Sequence, residues 1–228
     1  MDARHFVKDY NSLVRKLKTT LPIDQAMSDA VGGEYEKYGA IELDIVLRAG
    51  LTRGMKLIDF GCGSGRLAHR LGNSIEIEYL GLDVVQDLLD YARSKTPDHY
   101  QYRLNTDLSI PVADASTDMI TVFSVFTHLE HTETFEYLRD MQRVLRPGGK
   151  IVLSFLEFAE PAHWWIFEST VQAIREGAAN HLTQFIERNQ IAVWAQHLEL
   201  TVSEIIDGLQ SVSQSGPLGQ AVAILVKS

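Results

Sequence analysis

The stretch KLIDFGCGSGRLAHRL, residues 56–71, contains the pattern that decides the fold. A short apolar run ends at an acid and a glycine-rich turn, and a helical segment follows directly behind the turn. Glycine lets the backbone turn sharply and approach a ligand closely, and the first turn of a helix leaves its N–H groups unpaired. The stretch therefore predicts a strand, a ligand-binding turn and a helix in succession.

Further strand and helix patterns continue the alternation that this stretch begins. Apolar strands that alternate with helices predict right-handed βαβ units and a parallel sheet covered by helices on both faces. Thr132 is the predicted N-cap of the last of these helices, and Pro147, Gly148 and Gly149 predict a turn behind it. The predicted strands are residues 56–60, 76–83, 100–104, 118–126 and 150–158, and the predicted helices are residues 64–71, 85–94 and 133–145.

The two ends of the chain depart from this alternation. Residues 1–50 predict a helical cap, because Phe6, Tyr10, Leu13 and Leu17 recur at helical spacing. That helix either packs on the main fold or forms a lid over the active site. We divide a single domain, residues 1–228, into this cap, a ligand-binding half at 51–158, a helical insertion at 159–197 and closing strands at 198–228. The closing runs LELTVSEII and GQAVAILVK predict an antiparallel pair at one sheet edge.

Composition excludes several functional classes. The chain has 228 residues and a net charge of −9, and an acidic surface repels the phosphate backbone of nucleic acid. We find no apolar stretch of about 18 residues, the length that a membrane helix needs, and no apolar core of a secretory signal at the start. Cys62 is the single cysteine, so we expect no internal disulfide and no zinc cluster. These features predict a cytoplasmic protein without a metal, whose acceptor is small and neutral or cationic.

Three features of the glycine-rich turn distinguish between cofactors. Asp59 lies two positions before Gly61, Asp83 ends the second strand, and Arg66 stands where dinucleotide-binding turns carry a third glycine. That glycine keeps a pyrophosphate-binding helix close to its strand, so its absence argues against NAD. S-adenosylmethionine (SAM) has no phosphate, and its ammonium and ribose suit the two acids. The alternative is a structural turn beside an acid at a strand end.

The chain resembles the class I SAM-dependent methyltransferase superfamily in four motifs in that family's order. The motifs are KLIDFGCGSGRLAHRL, YLGLDVV, PVADASTDMITVFSVFTHLEH and RVLRPGGKIVLSF, and together they cover about residues 55–155. The resemblance implies a Rossmann-like, mostly parallel seven-stranded sheet with helices on both faces and an antiparallel last strand inserted beside the fifth. It also implies SAM as cofactor and S-adenosylhomocysteine as product. The fourth strand lacks the Asn/Asp-Pro-Pro-aromatic signature of many enzymes that methylate amino groups of bases or glutamine.

The resemblance assigns cofactor contacts residue by residue. It implies that Asp83 binds the ribose and Val84 lies against the adenine, whose amino group donates to Asp107. Tyr35 and Tyr38 precede the first motif, where such enzymes often cover the cofactor. The full set of implied cofactor residues is Asp59, Gly61, Cys62, Gly63, Asp83, Val84, Asp107, Leu108, Phe123 and Ser124.

The candidates for catalysis follow the fourth strand. His128 and His131 lie where the transferring methyl group is expected, and histidine titrates near neutral pH. Each histidine has a structural alternative. For His128 it is a hydrogen-bonded residue at a helix start, and for His131 it is a solvated residue before the cap. Glu157 and His163 are further candidates near the mouth. Trp164, Trp165 and Phe167 either line an acceptor pocket or pack the added helices.

The sequence leaves three functions open. The main hypothesis is methyl transfer from SAM to an oxygen or nitrogen atom of a small molecule. The alternatives are a SAM-binding sensor or complex subunit without activity, and a nicotinamide-dependent oxidoreductase. We expect no nucleic-acid or membrane partner, and a homodimer is left open.

Overall fold

The computed structural model describes residues 4–178 and 181–228, and a seven-stranded sheet forms its centre. The strands are β1 (Lys56–Phe60), β2 (Glu78–Asp83), β3 (Gln101–Leu104), β4 (Thr117–Val122), β5 (Leu145–Phe155), β6 (Leu200–Ile206), β7 (Ser211–Ser213), β8 (Gly216–Pro217) and β9 (Ala221–Lys227). The helices are α1 (His5–Thr20), α2 (Ile23–Asp29), α3 (Tyr35–Arg48), α4 (Arg66–Gly72), α5 (Gln86–Lys95), α6 (His131–Val144), α7 (Trp164–Arg175) and α8 (Arg188–His197).

The strand order of the main sheet is β3-β2-β1-β4-β5-β9-β6. Strands β1 to β5 pair in parallel, whereas β9 runs antiparallel to both of its neighbours, β5 and β6. The closing pair therefore lies at one edge, with the last strand inserted beside the fifth. The predicted Rossmann-like fold, with its mostly parallel sheet and antiparallel last strand, is confirmed.

Alternate residues of β1 show how the sheet is covered on both faces. Leu57 joins a buried cluster with residues of α3 and α4, whereas Ile58 joins a cluster with residues of α6 and α8. Successive side chains of a strand point to opposite faces, so a continuous apolar run is needed where both faces are buried. This requirement explains why the buried part of this strand is apolar at Leu57, Ile58 and Phe60.

The N-terminal helices form a third, smaller cluster against α5. Val14 of α1 and Met27 of α2 are buried with Val85 and Leu88 at the start of α5. Helix α1 also sends Phe6 into the main core. The cap is thus packed on the main fold, next to the end of β2.

Three local features differ from the sequence prediction. Glu130, not Thr132, is the N-cap of α6, because Glu130 and Glu133 form a reciprocal capping box that starts the helix two positions earlier. Helix α6 ends at Val144, and the predicted turn lies inside β5 as an insertion, since Thr117 pairs with Leu145 but Met119 pairs with Lys150. The sequence prediction also missed α2 and the small β7–β8 sheet between the closing strands.

Candidate active site

A cavity of about 370 Å³ lies at the carboxyl ends of β1, β2 and β4. The strand order reverses between β1 and β4, and open α/β sheets bind their ligands at such a point. The predicted site residues that line the cavity are Asp59, Gly61, Cys62, Gly63, Asp83, Val84, Phe123, Ser124 and His128. Most of the predicted residues therefore meet in one place.

The glycine-rich turn forms the floor of the cavity in a conformation that side chains rarely adopt. Gly61 has φ 72° and Gly63 has φ 54°, both in the left-handed region. A Cβ at Gly61 would collide with the side chain of Val125, and one at Gly63 would lie 2.5 Å from Cγ1 of Val31. The turn therefore needs glycine for its backbone angles and for close packing. The resulting cradle fits a ligand that contacts bare backbone.

Asp59 lines the cavity and also links its strand to both neighbouring strands through hydrogen bonds. Its two carboxylate oxygens accept hydrogen bonds from the Tyr79 hydroxyl at 2.7 Å and the Thr121 hydroxyl at 2.8 Å. Burial raises the pKa of the Asp59 carboxyl, and these two hydrogen bonds act in the opposite direction. Both oxygens thus have a partner within the chain, which leaves Asp59 fewer positions for a ligand than the sequence suggests.

Asp83 is held by backbone groups on both of its oxygens. Oδ2 accepts from the N–H of Gly63 and Oδ1 from the N–H of Val85, each at 2.9 Å. Burial raises the pKa of this carboxyl to about 6, against the backbone hydrogen bonds that lower it. Each oxygen keeps lone pairs for a further donor. The carboxylate is therefore oriented in advance, with a geometry that fits two neighbouring hydroxyls such as those of a ribose.

The segment after β3 does not present the residues that the resemblance implied. Asp107 is exposed and Leu108 packs against the core, and neither lines the cavity. The backbone carbonyl of Asp107 accepts from the Tyr137 hydroxyl at 2.9 Å, which fixes this part of the loop outside the cavity. Asn105, directly behind β3, lines the cavity instead, and its N–H donates to the carbonyl of Asp83. The structure thus favours Asn105 over Asp107 at this wall.

Ser124, at the end of β4, is fixed by a polar network. It has φ 58°, a strained value for a residue with a side chain. Its N–H donates to the hydroxyl of Ser154, which donates to Oε1 of Gln220, whose amide donates back to the Ser124 hydroxyl. Gln220 also lines the cavity. The loop before β9 therefore holds this wall of the site in place.

His128 lies in the cavity in its neutral form. Its Nδ1 lies 2.9 Å from the carbonyl of Leu182, and its ring contacts the rings of Tyr10 and His181 edge-on. Burial lowers the pKa of His128 to about 4, and the neighbouring His181 acts in the same direction. Because Nδ1 donates to a carbonyl, Nε2 carries the lone pair. The expectation that this histidine titrates near neutral pH is thus wrong for His128.

His131 is not brought to the cavity. It is the first residue of α6, and its Nε2 lies 2.9 Å from the carbonyl of Phe185. Its ring packs edge-on against Trp194 of α8. These contacts give His131 a structural role that ties α6 to the segment before α8.

The other candidates near the mouth are also occupied by structural contacts. Glu157 is buried and forms two hydrogen bonds with the guanidinium of Arg188, at 2.8 and 2.5 Å. His163 is buried against the carbonyl of Gly219 and the backbone of Glu157. Neither side chain lines the cavity.

The aromatic residues of the insertion form a cluster of their own. Trp164 and Phe167 pack with Phe158 and Phe185, whereas Trp165 remains 66% exposed. None of these five residues lines the cavity. The four packed rings support the added helices rather than an acceptor pocket, and Trp165 lies at the surface.

Helix α1, the first helix of the chain, covers one side of the cavity. Phe6, Tyr10 and Leu13 line it, and the Asn11 side chain donates to the carbonyl of Val84 at 3.3 Å. The helix is therefore both packed on the fold and part of the cavity wall. Tyr35 and Tyr38, which were expected to cover the cofactor, do not line the cavity. The Tyr35 hydroxyl donates to the carbonyl of Ser64 instead.

Three charged residues that line the cavity, Asp29, Glu42 and Arg66, were missed as site residues. Glu42 of α3 and Arg66 of α4 line the cavity and form a buried ion pair. A signal was present in the sequence, because Glu42 shares one helical face with the apolar residues Ile45, Val46 and Ala49. A charge on a buried face needs a partner, and Arg66 had already been noted as the departure from the dinucleotide pattern.

Neither a metal-binding cluster nor a membrane-spanning helix is found among residues 4–178 and 181–228. No group of three or more His, Cys, Asp and Glu side chains there is arranged to hold a metal ion. None of the helices in that part of the chain combines the length and the apolar character needed to cross a membrane.

Comparison with known proteins identifies the domain. Residues 58–153 match the family model described as "Methyltransferase domain". The chain is 30% identical over 138 residues to a malonyl-(acyl-carrier protein) O-methyltransferase of Hahella chejuensis, covering 60% of this chain and 47% of that one. It is 26% identical over 132 residues to a 27-O-demethylrifamycin SV methyltransferase of Amycolatopsis mediterranei, covering 55% and 47%. The matched segments span about half the length of these relatives.

The fold resembles solved methyltransferase structures over nearly its whole length. Magnesium protoporphyrin IX methyltransferase from Synechocystis, with bound S-adenosylhomocysteine, superimposes with a TM-score of 0.68 and 15% identity, covering 98% of both chains. The chain carries a methyltransferase domain of the class I SAM-dependent family, and the predicted family is confirmed. This family uses SAM, so the predicted cofactor is confirmed and a nicotinamide cofactor is set aside.

Proposed function

We propose that the protein transfers a methyl group from SAM to an oxygen or nitrogen atom of a small-molecule acceptor. The observation that carries this proposal is that one cavity is lined both by most of the residues predicted to bind the cofactor and by His128. Asp83 and the glycine-rich turn lie on one side of that cavity, and a neutral histidine with a lone pair on Nε2 lines it as well. A cofactor and an acceptor can therefore meet within one cavity.

The residues of the cradle hold the cofactor in this proposal. Asp83 accepts from the two ribose hydroxyls, and the backbone of Gly61 and Gly63 contacts the methionine end. When bound, SAM supplies a methyl group on a positively charged sulfur atom, which is already reactive toward a lone pair. Alignment then contributes most of the rate, since well-oriented groups reach effective concentrations of about 10⁵ M or more.

His128 positions the acceptor. Its Nε2 accepts a hydrogen bond from an acceptor O–H or N–H, which turns the lone pair of the attacking atom toward the cofactor side. A methylated oxygen that still carries its proton is much more acidic than an imidazolium with a pKa of about 4. Nε2 therefore takes that proton and passes it to water. A methylated ammonium holds its proton too tightly for this transfer, so the low pKa of His128 favours oxygen as the methylated atom.

A small acceptor fits the enclosure of the cavity. Helix α1, the connection between α2 and α3 and His181 all contribute to its lining, which leaves little room for a polymer. The net charge of −9 also opposes nucleic acid. Both relatives named above are methyltransferases, and one of them is named as an O-methyltransferase. We place the protein in the cytoplasm, in keeping with its single, buried cysteine.

The experiment for this proposal is a search for acceptors with methyl-labelled SAM. Pools of cellular metabolites below about 1 kDa are incubated with the purified protein, and release of S-adenosylhomocysteine and labelled products is followed by mass spectrometry. We expect acceptor-dependent release, and none with the Asp83→Ala variant. Matched pools of protein and RNA should remain unlabelled. Tight SAM binding without turnover in any pool would instead favour the alternative, a SAM-binding sensor or complex subunit.

A further inference from the structure

The ion pair between Glu42 and Arg66 lies inside the cavity wall and has no role in the function proposed so far. Oε1 of Glu42 is 2.7 Å from Nε and 2.6 Å from Nη2 of Arg66. The side chains belong to adjacent helices, α3 and α4, and the residues are only 1% and 9% exposed. Nη1 of Arg66 donates to the carbonyl of Val31 at 2.6 Å. The pair thus joins the cap, the glycine-rich turn and the cavity.

The stability of the fold does not by itself explain why an ion pair is buried. Removing two charges from water is costly, and well-packed apolar residues of similar volume often hold helices together equally well. Burial raises the pKa of Glu42 to about 7 even beside the guanidinium, which reflects that cost. A third charged group in the cavity would offset it. The pair is therefore better explained by a ligand than by packing.

The pair also has unused hydrogen-bonding capacity. A guanidinium carries five N–H donors, and the contacts with Glu42 and Val31 use three of them. No described residue donates to Oε2 of Glu42. Both oxygens of Asp59, by contrast, accept from side chains of the sheet. Of the described Lys and Arg side chains, Arg66 is the one that lines the cavity, and the acid directly beside it is Glu42, so this pair presents both charges to a ligand.

The amino-acid tail of SAM has the complementary chemistry, an ammonium and a carboxylate on one carbon. We propose that Glu42 binds this ammonium and Arg66 this carboxylate, so that the pair selects ligands with an intact amino-acid tail. The assignment rests on the cofactor site of the proposed function and adds a specificity determinant to it. Because Arg66 also binds the Val31 carbonyl, tail recognition is linked to the position of the cap above the turn.

The test compares two ligands that differ only in the tail. S-adenosylhomocysteine carries the amino-acid group, and 5′-methylthioadenosine lacks it but keeps the adenosine that Asp83 contacts. Calorimetry should show that Arg66→Met and Glu42→Gln each weaken S-adenosylhomocysteine binding by about 10- to 100-fold, the range for hydrogen bonds that involve a charge. Binding of 5′-methylthioadenosine should stay within about three-fold.

The chain offers a matched control on the same two helices. Glu36 and Arg70 form an exposed pair between α3 and α4, with Nη2 2.7 Å from Oε2. Glu36→Gln and Arg70→Met should leave the affinity for both ligands unchanged. Since Arg66→Met leaves Glu42 as an unpaired buried charge, the double variant Glu42→Leu/Arg66→Met provides a neutral replacement whose folding is checked by thermal unfolding.

The outcomes separate this inference from the proposed function. Selective loss of S-adenosylhomocysteine affinity supports the tail assignment. An equal loss for both ligands, or no loss in the folded double variant, would overturn it and leave the pair as a link between helices. If the wild-type protein binds neither ligand, the cofactor site itself fails, and with it the proposed function.

Discussion

His128 and His131 show how much the role of a residue depends on distant contacts. They are three positions apart, yet each hydrogen-bonds the backbone of the segment just before α8, His128 at Leu182 and His131 at Phe185. One contact holds a ring in the cavity and the other holds a ring outside it. A shared position after β4 therefore does not imply a shared function.

The first prediction separates the two histidines with a substitution that keeps the structural contact. The amide of asparagine can replace Nδ1–H toward a carbonyl but has no group at the place of Nε2. We expect His128→Asn to reduce turnover by about 10²-fold or more, the usual effect of a lost proton acceptor. The affinity for S-adenosylhomocysteine should change by less than about three-fold, because Nε2 acts on the acceptor. Steady-state kinetics with an acceptor found in the metabolite screen provides the measurement.

His131→Asn is the matched control for this prediction. It should keep wild-type turnover and lose about 1 kcal/mol of stability, since asparagine has no group at the place of Nε2 and the contact with the Phe185 carbonyl is lost. Nitrogen NMR of the wild-type protein should show His128 neutral and protonated on Nδ1 throughout pH 6 to 8, because its pKa is about 4. A larger loss of turnover in His131→Asn than in His128→Asn would reverse the assignment.

At the scale of single residues, the sequence predicted the site residues whose positions follow from the order of strands and turns. Asp83 and the glycines follow from their places at the end of a strand and in a turn, and both line the cavity. Asp107 could not be placed, because the loop after β3 is fixed by the hydroxyl of Tyr137 on α6. Glu42 and Arg66 were missed as site residues because their pairing joins two helices across 24 positions.

Among the elements that cover the cavity, α1 buries only a small part of its length. Only Phe6 and Val14 of its 16 residues are fully buried, and no side chain caps its N-terminus. The side chain of Asn11 and the ion pair between Lys18 and Asp87 add polar contacts to the β2–α5 region. Elements with few buried contacts open at a lower free energy than the core of the fold.

The second prediction is that α1 opens to admit the cofactor. Its amides at residues 5–20 should exchange with deuterium faster than those of α6, and S-adenosylhomocysteine should slow that exchange. The physical reason is that Phe6, Tyr10 and Leu13 line the cavity, so a ligand adds contacts to the helix. Hydrogen-exchange mass spectrometry with and without ligand measures the effect. Helix α7, which contributes no lining residue, is the internal control.

Two results would argue against an opening helix. If α1 exchanges as slowly as α6 without ligand, the helix is a fixed wall and entry occurs elsewhere. If the ligand slows exchange equally in α1 and α7, the effect is a general stabilisation of the fold.

The elements that the sequence predicted well are those with an unambiguous apolar pattern. Strands β1, β2 and β9 are buried runs, and each was expected within a few residues of its actual bounds. Short elements such as α2 and β7 carry too few residues for a periodic pattern. The start of α6 was misplaced because Thr132 is a common N-cap residue, whereas the reciprocal bonds of Glu130 and Glu133 decide the actual cap.

For the molecule as a whole, cofactor binding and folding are coupled through buried acids. Burial raises the pKa of Asp83 to about 6 and of Glu42 to about 7, and it also raises the pKa of Asp59. These groups hold protons in the folded protein at pH values where the unfolded chain has lost them. They contribute stability below their unfolded pKa values, near 4, which is lost as pH rises through 6 to 7.

Cofactor binding should oppose the effect of burial, because it lowers a pKa that burial raises. In the proposed function an ionised Asp83 accepts from two ribose hydroxyls, so binding should stabilise its charged form and lower its pKa. The affinity for S-adenosylhomocysteine should therefore rise from pH 5 to about pH 7 and then level off. The third prediction is that the rise in melting temperature caused by this ligand grows over the same pH range.

The magnitude follows from mass action. Ligand at about 100 times its dissociation constant adds about 2.7 kcal/mol, which for a chain of this size corresponds to about 5–10 °C in melting temperature. That shift should appear at pH 8 and shrink markedly at pH 5 at the same ligand concentration. Thermal unfolding at pH 5, 6, 7 and 8, with and without ligand, gives the difference directly. The pKa of His128 is near 4, and its titration affects the measurements with and without ligand equally. Its contribution to their difference is therefore zero unless the ligand changes that pKa.

Asp83→Asn identifies the group responsible for the pH dependence. An asparagine has no charge to lose, so the part of the rise centred near pH 6 should disappear while a smaller part near pH 7 remains from Glu42. Glu42→Gln should remove the upper part and leave the lower. Each variant should therefore remove only the part of the pH dependence that its own carboxyl contributes. A ligand-induced shift that is constant from pH 5 to 8 in the wild-type protein would mean that neither carboxylate changes its ionisation on binding. The ribose and ammonium contacts would then have to be reassigned to neutral groups such as Asn105 and the backbone of the glycine-rich turn.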